Sequence, residues 1–288
     1  MCGKPANLAY FQSIGDFNHI GGKLQIPTVL LGAEGDNFHS SDERVNLKSA
    51  LEVAHIISEF LSDVLSDYED KMNTELSKRI KEIALELVAQ KSIVETDDEV
   101  TMSDKVYEIM SRMDYYKKHP EKLYFVPAKN DKWNRKIVVA IMNGEKKPSN
   151  KTVVFIGHTD TVGISDYGNL AEYATKPDEL VEKLKEVSLR QEVKDDMASG
   201  KYIFGRGIFD MKSGDANVMG IMEEVSKDIE NFEGNIIFAA VCDEEGNSQG
   251  MLAFVPELIR LKKEFGYDYQ AMLDPDYIAP AYPGDPKV

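Results

Sequence analysis

Short apolar runs alternate with longer amphipathic stretches along this chain, and the two patterns predict different elements. Residues 26–32, IPTVLLG, are apolar without a helical period and predict a buried strand. Apolar residues then recur at helical spacing over 46–65 and again over 76–88, which predicts two amphipathic helices. A further helix is expected over 101–113.

The second half of the chain repeats a strand–helix pattern. KIVVAIMNG (136–144) and KTVVFIG (151–157) are strand-like runs joined by a polar turn, which favours adjacent antiparallel pairing. After a charged stretch that is helical around 177–190, the predicted elements are a strand at 201–207, a helix at 213–229, a strand at 234–242, a helix at 248–264 and a strand at 269–274. This order predicts a three-layer α/β/α sandwich with a mixed, largely parallel sheet, in which functional side chains collect where strands end.

Composition narrows the possible partners. The 288 residues carry a formal charge of −16, which argues against nucleic acid and against anionic membranes because both require a basic surface. Two cysteines, Cys2 and Cys242, imply no disulfide framework. Residues 1–30 lack the pattern of a signal peptide, and no run is long enough to span a membrane. We therefore expect a reduced, cytoplasmic, soluble protein, with its oligomeric state left open.

Four groups of polar residues follow the apolar runs of the second half. The first is HTD, where His158 could bind a metal while Asp160 holds the other ring nitrogen, as metal-binding imidazoles require. The motif is short, and a loop histidine beside a solvated aspartate would look the same. Asp210 lies between a glycine-flanked strand end and a helix start, where a simple helix N-terminal acid is the alternative.

The remaining two groups are acidic. Glu244 and Glu245 follow the apolar run IIFAAV, and because neighbouring strand residues point in opposite directions, one could bind metal while the other acts as a base. A solvated acidic loop is the alternative. Asp274 ends the last run and Asp276 follows it as the weaker ligand candidate, in a sequence that also suits a plain turn.

Taken together, these groups predict a metal centre better than any one of them does. One histidine and three carboxylates at strand ends form a hard, oxygen-rich pocket suited to two divalent metals that share an aspartate. A second imidazole is missing from this set, and His39, in the segment GDNFHSSDERV, can supply it.

The motifs GHTDTVG, GRGIFDMKSGDA, DEEGNSQGM and LDPDY resemble the dizinc aminoacylase, acetylornithine deacetylase and glutamate carboxypeptidase family of metallopeptidases. The resemblance covers nearly all of residues 72–288. It implies hydrolysis of amide or peptide bonds in N-acylamino acids or small peptides. It also implies two divalent cofactor ions, with zinc expected and cobalt or manganese equally able to fill such a pocket.

The same resemblance assigns roles to the candidate residues. His158, Asp210, Glu245 and Asp274 are metal ligands, with Asp210 as the bridge between the ions. Glu244 is the general base that activates water, and Asp160 orients His158. A cis peptide is expected after the bridging aspartate, between Asp210 and Met211.

The order of the segments departs from the family. GAEGDNFHSSDERV resembles the family's last ligand segment, so residues 1–70 resemble its C-terminal part and residues 71–288 its N-terminal part. We therefore expect a single catalytic domain over 1–288 in permuted order, with His39 as the last metal ligand and the lid and dimerisation domain absent. Two alternatives stay open: a metal-binding domain that is weak or inactive without the lid, and a structural or partner-binding domain without metal.

Overall fold

A computed structural model describes residues 15–65 and 73–277 of the chain. In these ranges the helices are α1 Phe17–Leu24, α2 Leu47–Leu65, α3 Thr74–Ala89, α4 Asp98–Ser111, α5 Asp114–Lys118, α6 Pro177–Leu184, α7 Gln191–Ser199, α8 Ser213–Ser226 and α9 Gln249–Phe265. The strands are β1 Thr28–Leu30, β2 Gly35–Asp36, β3 Arg44–Asn46, β4 Leu123–Pro127, β5 Lys136–Asn143, β6 Lys151–His158, β7 Tyr202–Phe204, β8 Asn235–Val241 and β9 Asp268–Asp274.

Six strands form the main sheet in the order β1-β9-β6-β8-β5-β4. The first four are mutually parallel, and β5 and β4 complete the sheet in antiparallel pairs. The mixed, largely parallel α/β sheet expected from the sequence is thereby confirmed. Parallel strands bring their carboxyl ends to one edge, so β6, β8 and β9 all deliver their following residues to the same region.

Two apolar cores lie on the two faces of the main sheet, because successive strand residues point in opposite directions. Along β8, Ile236 and Phe238 join the core beneath α2, α3, α4 and α8, whereas Ile237 and Ala239 join the core beneath α9. A third, smaller cluster packs α6 and α7 against β7. Helices therefore cover both faces of the sheet, as an α/β/α sandwich requires.

The N-terminal segment contributes strands to both sheets. Strand β1 pairs in parallel with β9, with Leu30 opposite Asp274. Strand β3 lies between β2 and β7 in a separate three-stranded sheet. Residues from α2 belong to the same apolar core as residues from α3 and α8. The two described ranges thus share one core.

Several sequence-based expectations need correction. The runs at 136–144 and 151–157 do not pair with each other, because β8 lies between β5 and β6. The polar connection between them crosses over one strand position instead of forming a hairpin. The charged stretch around 177–190 contains α6 and a break before α7, and the helix expected over 101–113 begins at Asp98. Residues 66–72, which lie between the first two predicted helices, are outside the described residues.

Among the helices of residues 15–65 and 73–277, none combines the length and the apolar character needed to cross a membrane.

Candidate metal centre

The candidate residues converge from four parts of the fold. His158 is the last residue of β6, and Glu244 and Glu245 follow the end of β8 on the same edge of the sheet. Asp210 comes from a different place, a π-type turn over Ile208–Lys212 that leads from β7 of the small sheet into α8. His39 lies on the connection between β2 and β3, in the left-handed backbone region with φ 60°.

Asp210 lies between the two imidazoles, with one carboxylate oxygen facing each ring. His158 Nε2 is 2.9 Å from Asp210 Oδ1, and His39 Nε2 is 3.1 Å from Asp210 Oδ2. The same nitrogen of His39 is 2.8 Å from Glu245 Oε1. The structure thus brings His39, expected from the sequence as the last metal ligand, next to Asp210 and Glu245, although 206 residues separate it from the glutamate.

These contacts set the charge of the groups in the metal-free protein. Hydrogen bonds to Asp210 and to Glu245 raise the pKa of His39 to about 10. Burial alone would raise the pKa of Asp210, but the bonds from His158 and His39 outweigh it and lower that pKa to about 2. Two imidazolium rings beside one carboxylate therefore occupy the positions where two cations would be stable.

Two clusters of possible metal ligands share Asp210. One contains His39, Asp210 and Glu245, and the other contains His158, Asp210 and Asp276, with ligand atoms within 4.8 Å of one another in each. The second cluster differs from the sequence-based expectation, because it contains Asp276, the weaker candidate, and not Asp274.

Asp274 lies close by but faces a different set of groups. It is the last residue of β9, its side chain is buried, and its Oδ1 has no hydrogen-bond partner. Burial, followed by the charge of Asp16, raises its pKa well above the usual range. A buried carboxylate without a partner is costly, so Asp274 needs either a proton or a cation.

Asp160 makes different contacts from those expected. His158 Nδ1 lies 3.1 Å from the backbone oxygen of Asp160, and 3.8 Å from its carboxylate. The backbone carbonyl therefore holds the ring of His158. The Asp160 carboxylate instead accepts the backbone N–H groups of Glu244 at 3.2 Å and Glu245 at 3.0 Å. Asp160 thus links the loop after β6 to the two glutamates.

Glu244 has the environment of a proton acceptor. Burial raises its pKa, His158 opposes this rise, and the charges of Glu245 and Asp210 add to it. A carboxylate with a raised pKa exchanges protons more readily near neutral pH than an ordinary glutamate does. Its side chain is only partly buried, so a substrate can reach it.

The turn that carries Asp210 is held by the N-terminal segment. Glu43 Oε1 accepts the backbone N–H groups of Phe209 and Asp210 at 3.1 and 3.4 Å, and Glu43 Oε2 accepts a bond from Arg206 Nη1 at 2.8 Å. The peptide bond between Asp210 and Met211 is cis, as the family resemblance implied. Nothing in the sequence distinguished Glu43 from its acidic neighbours, because the inward direction of its side chain depends on β3 pairing with β7.

A mixed α/β sheet with two imidazole–carboxylate clusters that share one aspartate resembles the catalytic domains of two-metal hydrolytic enzymes. Residues 154–280, which are less than half of the chain, match the profile of Peptidase family M20/M25/M40. The sequence of the chain is similar to protein RocB of Bacillus subtilis (strain 168), with 35% identity over 209 residues, which are 73% of this chain and 37% of RocB.

Two further proteins are similar to this chain. The uncharacterized protein YqjN of the same bacterium is 32% identical over 216 residues, which are 74% of this chain and 38% of YqjN. The M20 family metallo-carboxypeptidase Sso-CP2 from Sulfolobus solfataricus has 14% identity and a TM-score of 0.45, over 74% of this chain and 39% of that one. The chain thus spans less than two fifths of the length of RocB and YqjN.

Proposed function

We propose that this chain is a metal-dependent hydrolase of amide or peptide bonds that holds two divalent ions. His39 and Glu245 would bind one ion, His158 and Asp276 the other, and Asp210 would bridge them. Asp274, expected from the sequence as a ligand, is the further carboxylate available to the second ion. Zinc is our first choice, and a pocket of imidazoles and carboxylates also suits cobalt or manganese.

The spacing of the donor atoms supports this assignment. Two donors on one tetrahedral zinc ion, each about 2.0–2.2 Å from the metal, lie roughly 3.4 Å apart. His39 Nε2 is 3.1 Å from Asp210 Oδ2 and 2.8 Å from Glu245 Oε1, so small shifts would open room for an ion. The unpartnered Oδ1 of Asp274 offers another oxygen ligand on the side of His158, where the second ion would bind.

The observation that carries the proposal is the double contact of Asp210. Its two oxygens face imidazoles from segments 119 residues apart in the chain (158 − 39), and each imidazole belongs to a separate ligand cluster. A structural ion pair needs only one such partner. A carboxylate shared by two ligand sets is the arrangement that paired metal ions require.

Bound divalent ions would supply Lewis acidity to an amide carbonyl and to the attacking water. Glu244 would accept the proton of that water, and its raised pKa suits this step. The water oxygen forms a bond to the carbonyl carbon, the C–N bond breaks, and Glu244 returns its proton to the departing amine. Asp160 keeps Glu244 in place through the backbone of the glutamate pair.

The segment order and the substrate remain proposals. The shared core and the β1–β9 and β3–β7 pairings support our proposal that residues 1–70 and 71–288 form one permuted catalytic domain. N-acylamino acids and small peptides are the proposed substrates. We also propose a role in arginine utilization, which makes acylated or peptide-bound arginine the first substrate to test. A cytoplasmic location stays a prediction.

The proposal is tested by metal content and hydrolysis measured on the same preparations. We expect about two zinc ions per chain in the wild type and release of amino acids from N-acylamino acids or dipeptides. Glu244→Gln should keep its metal and lose about 10²- to 10⁴-fold in kcat, the usual contribution of a general base. Glu186→Gln, an exposed glutamate remote from the site, serves as the matched control and should behave as wild type.

Each result has a defined consequence. A chain that binds no stoichiometric metal would refute the metal centre. A chain that binds two ions but cleaves no N-acylamino acid or dipeptide would refute the hydrolase and leave a metal-binding domain. Wild-type turnover by Glu244→Gln would refute the assignment of the base.

A further inference from the structure

The two glutamates of the candidate site lie on a tight turn that has its own support. We use the name glutamate turn for residues 243–246, which connect β8 to the approach of α9. Asp243 begins the turn in the left-handed backbone region, with φ 66°. Its carbonyl oxygen accepts the N–H groups of Gly246 at 3.3 Å and Ser248 at 2.6 Å. The direction of the Glu244 and Glu245 side chains therefore depends on how Asp243 is held.

Asp243 is held by a buried arginine from the start of β5. Arg135 Nη1 donates to Asp243 Oδ1 at 2.6 Å and to Glu99 Oε2 at 2.9 Å. Its Nε and Nη2 bind Asp131, with Nη2 at 2.7 Å from Oδ1. Glu99 closes the network, because its Oε1 accepts the backbone N–H of Asp243 at 2.9 Å.

All four side chains of this network are at most 3% exposed, and three carboxylates surround one guanidinium. Burial raises the pKa of Glu99, although the hydrogen bond from Arg135 opposes the rise. Burying this excess of negative charge is costly, and an apolar core could fill the same space at a lower cost. The network is therefore poorly explained by stability alone.

The geometry of the network indicates a role in fixing the position of the glutamate turn. The planar guanidinium presents its donors in fixed directions, so it joins α4, the loop before β5 and the glutamate turn in one arrangement. From the opposite side, the Asp160 carboxylate holds the N–H groups of Glu244 and Glu245. The turn is thus fixed at Asp243 by Arg135 and Glu99, and at the glutamates by Asp160.

We propose that Arg135 is a positioning residue of the metal centre, which acts through Asp243 and together with Glu99 to set where the carboxylates of Glu244 and Glu245 lie. The expected effect of Arg135 on catalysis rests on the proposed function. Its expected effects on metal affinity and on the geometry of the glutamate turn do not depend on turnover.

The test compares substitutions in this network with matched ones elsewhere. Arg135→Lys keeps the charge but replaces the planar fork of five N–H donors by a single ammonium group with three, and Glu99→Gln keeps the size but loses one acceptor. Arg79→Lys and Glu223→Gln are the controls, because Arg79 Nε binds both oxygens of Glu223 at 3.1 and 2.9 Å, remote from the glutamates. Zinc affinity is measured by chelator competition on protein shown to be folded, and kcat and KM are measured on the same samples.

We expect Arg135→Lys and Glu99→Gln to weaken zinc binding by about tenfold or more, the usual effect of residues that orient metal ligands. The value of kcat should fall by a similar factor, with KM nearly unchanged. The two control variants should leave both zinc affinity and kcat at the wild-type values. A purely structural network would lower the melting temperature of Arg135→Lys without changing the zinc affinity of the folded protein.

Other outcomes also decide the question. Wild-type zinc affinity and kcat in Arg135→Lys and Glu99→Gln would overturn the proposal, and if Arg135→Lys fails to fold, Glu99→Gln decides alone. If the wild type binds zinc but has no turnover, the proposed function fails while zinc affinity still tests Arg135. If the wild type binds no zinc, the position of the glutamate turn in crystal structures of the variants tests the proposal instead. A turn that keeps Glu245 Oε1 within 3.5 Å of His39 Nε2 would overturn the positioning role.

Discussion

At the residue scale, Asp210 contacts two imidazoles at the positions where the proposed metal ions would bind. Its two oxygens face His158 and His39, and the low pKa of Asp210 goes with the high pKa of His39. Metal binding must displace the protons of these imidazoles, so metal affinity is coupled to pH. The metal-free protein should also carry a pH-dependent share of its stability in this contact.

The pKa shift of His39 gives the direction in which stability changes with pH. The pKa of His39 is raised to about 10 from an ordinary value of about 6.5, so its contribution is complete below about pH 6.5 and is lost as pH rises through 10. In the presence of chelator, we expect the stability difference between wild type and His39→Gln to decrease from pH 6 to pH 10. His39 is 39% exposed, so solvent screening reduces the effect. Urea unfolding at several pH values measures it, and a difference independent of pH would contradict the His39–Asp210 contact.

At the element scale, the start of α8 packs directly on the chain that leaves β9. A Cβ atom placed on Gly214 would lie 2.0 Å from the backbone oxygen of Pro275. This close approach brings the turn that carries Asp210 beside the residues that follow Asp274. A glycine is therefore required at the first turn of α8, because no larger residue allows the two backbones to meet.

Gly214→Ala should accordingly destabilise the fold by about 1–3 kcal/mol, the usual cost of overpacking. Gly22→Ala is the matched control, because it also lies in a helix but has no atom within 4 Å of an added Cβ. Alanine has the better helix propensity, so Gly22→Ala should leave stability unchanged or raise it by up to about 1 kcal/mol. Urea unfolding measures both, and equal effects of the two substitutions would contradict the close contact.

At the scale of the whole molecule, residues of both described ranges belong to one apolar core. Ile57 of α2 is fully buried in the same core as residues of α3, α8 and the main sheet. The single tryptophan, Trp133, lies in the other range and reports on its unfolding. If the ranges share one core, weakening the first must lower the stability that is reported from the second.

We expect Ile57→Ala to lower the free energy of unfolding by about 2–5 kcal/mol, as Ile→Ala substitutions in cores do. The loss should appear equally in Trp133 fluorescence and in circular dichroism. Ile259→Ala is the matched control, because Ile259 is 53% exposed on α9, and its effect should stay within about 0.5 kcal/mol. A Trp133 transition unaffected by Ile57→Ala would show that the N-terminal segment folds separately.

The sequence by itself determined the layers of the α/β/α sandwich and most of the candidate metal ligands. Alternating apolar runs and amphipathic stretches predict strands and helices because burial follows a period of two or of 3.6 residues. Polar residues at the ends of such runs predict a site, because parallel strands end at one edge. His158, Glu244 and Glu245 were found in this way, and His39 through its resemblance to a known ligand segment.

Only the tertiary structure decided what required knowledge of neighbours in space. The insertion of β8 between β5 and β6 depends on long-range pairing, which local pattern does not encode. Asp276, and not Asp274, belongs to a ligand cluster, and the carboxylate of Asp160 accepts the backbone N–H groups of the two glutamates. The sequence could not predict either contact, because both depend on side-chain directions within a few ångströms. Glu43 and Arg135 were missed for the same reason, since a charged residue gives no sign in the sequence of whether it points to solvent or to a buried partner.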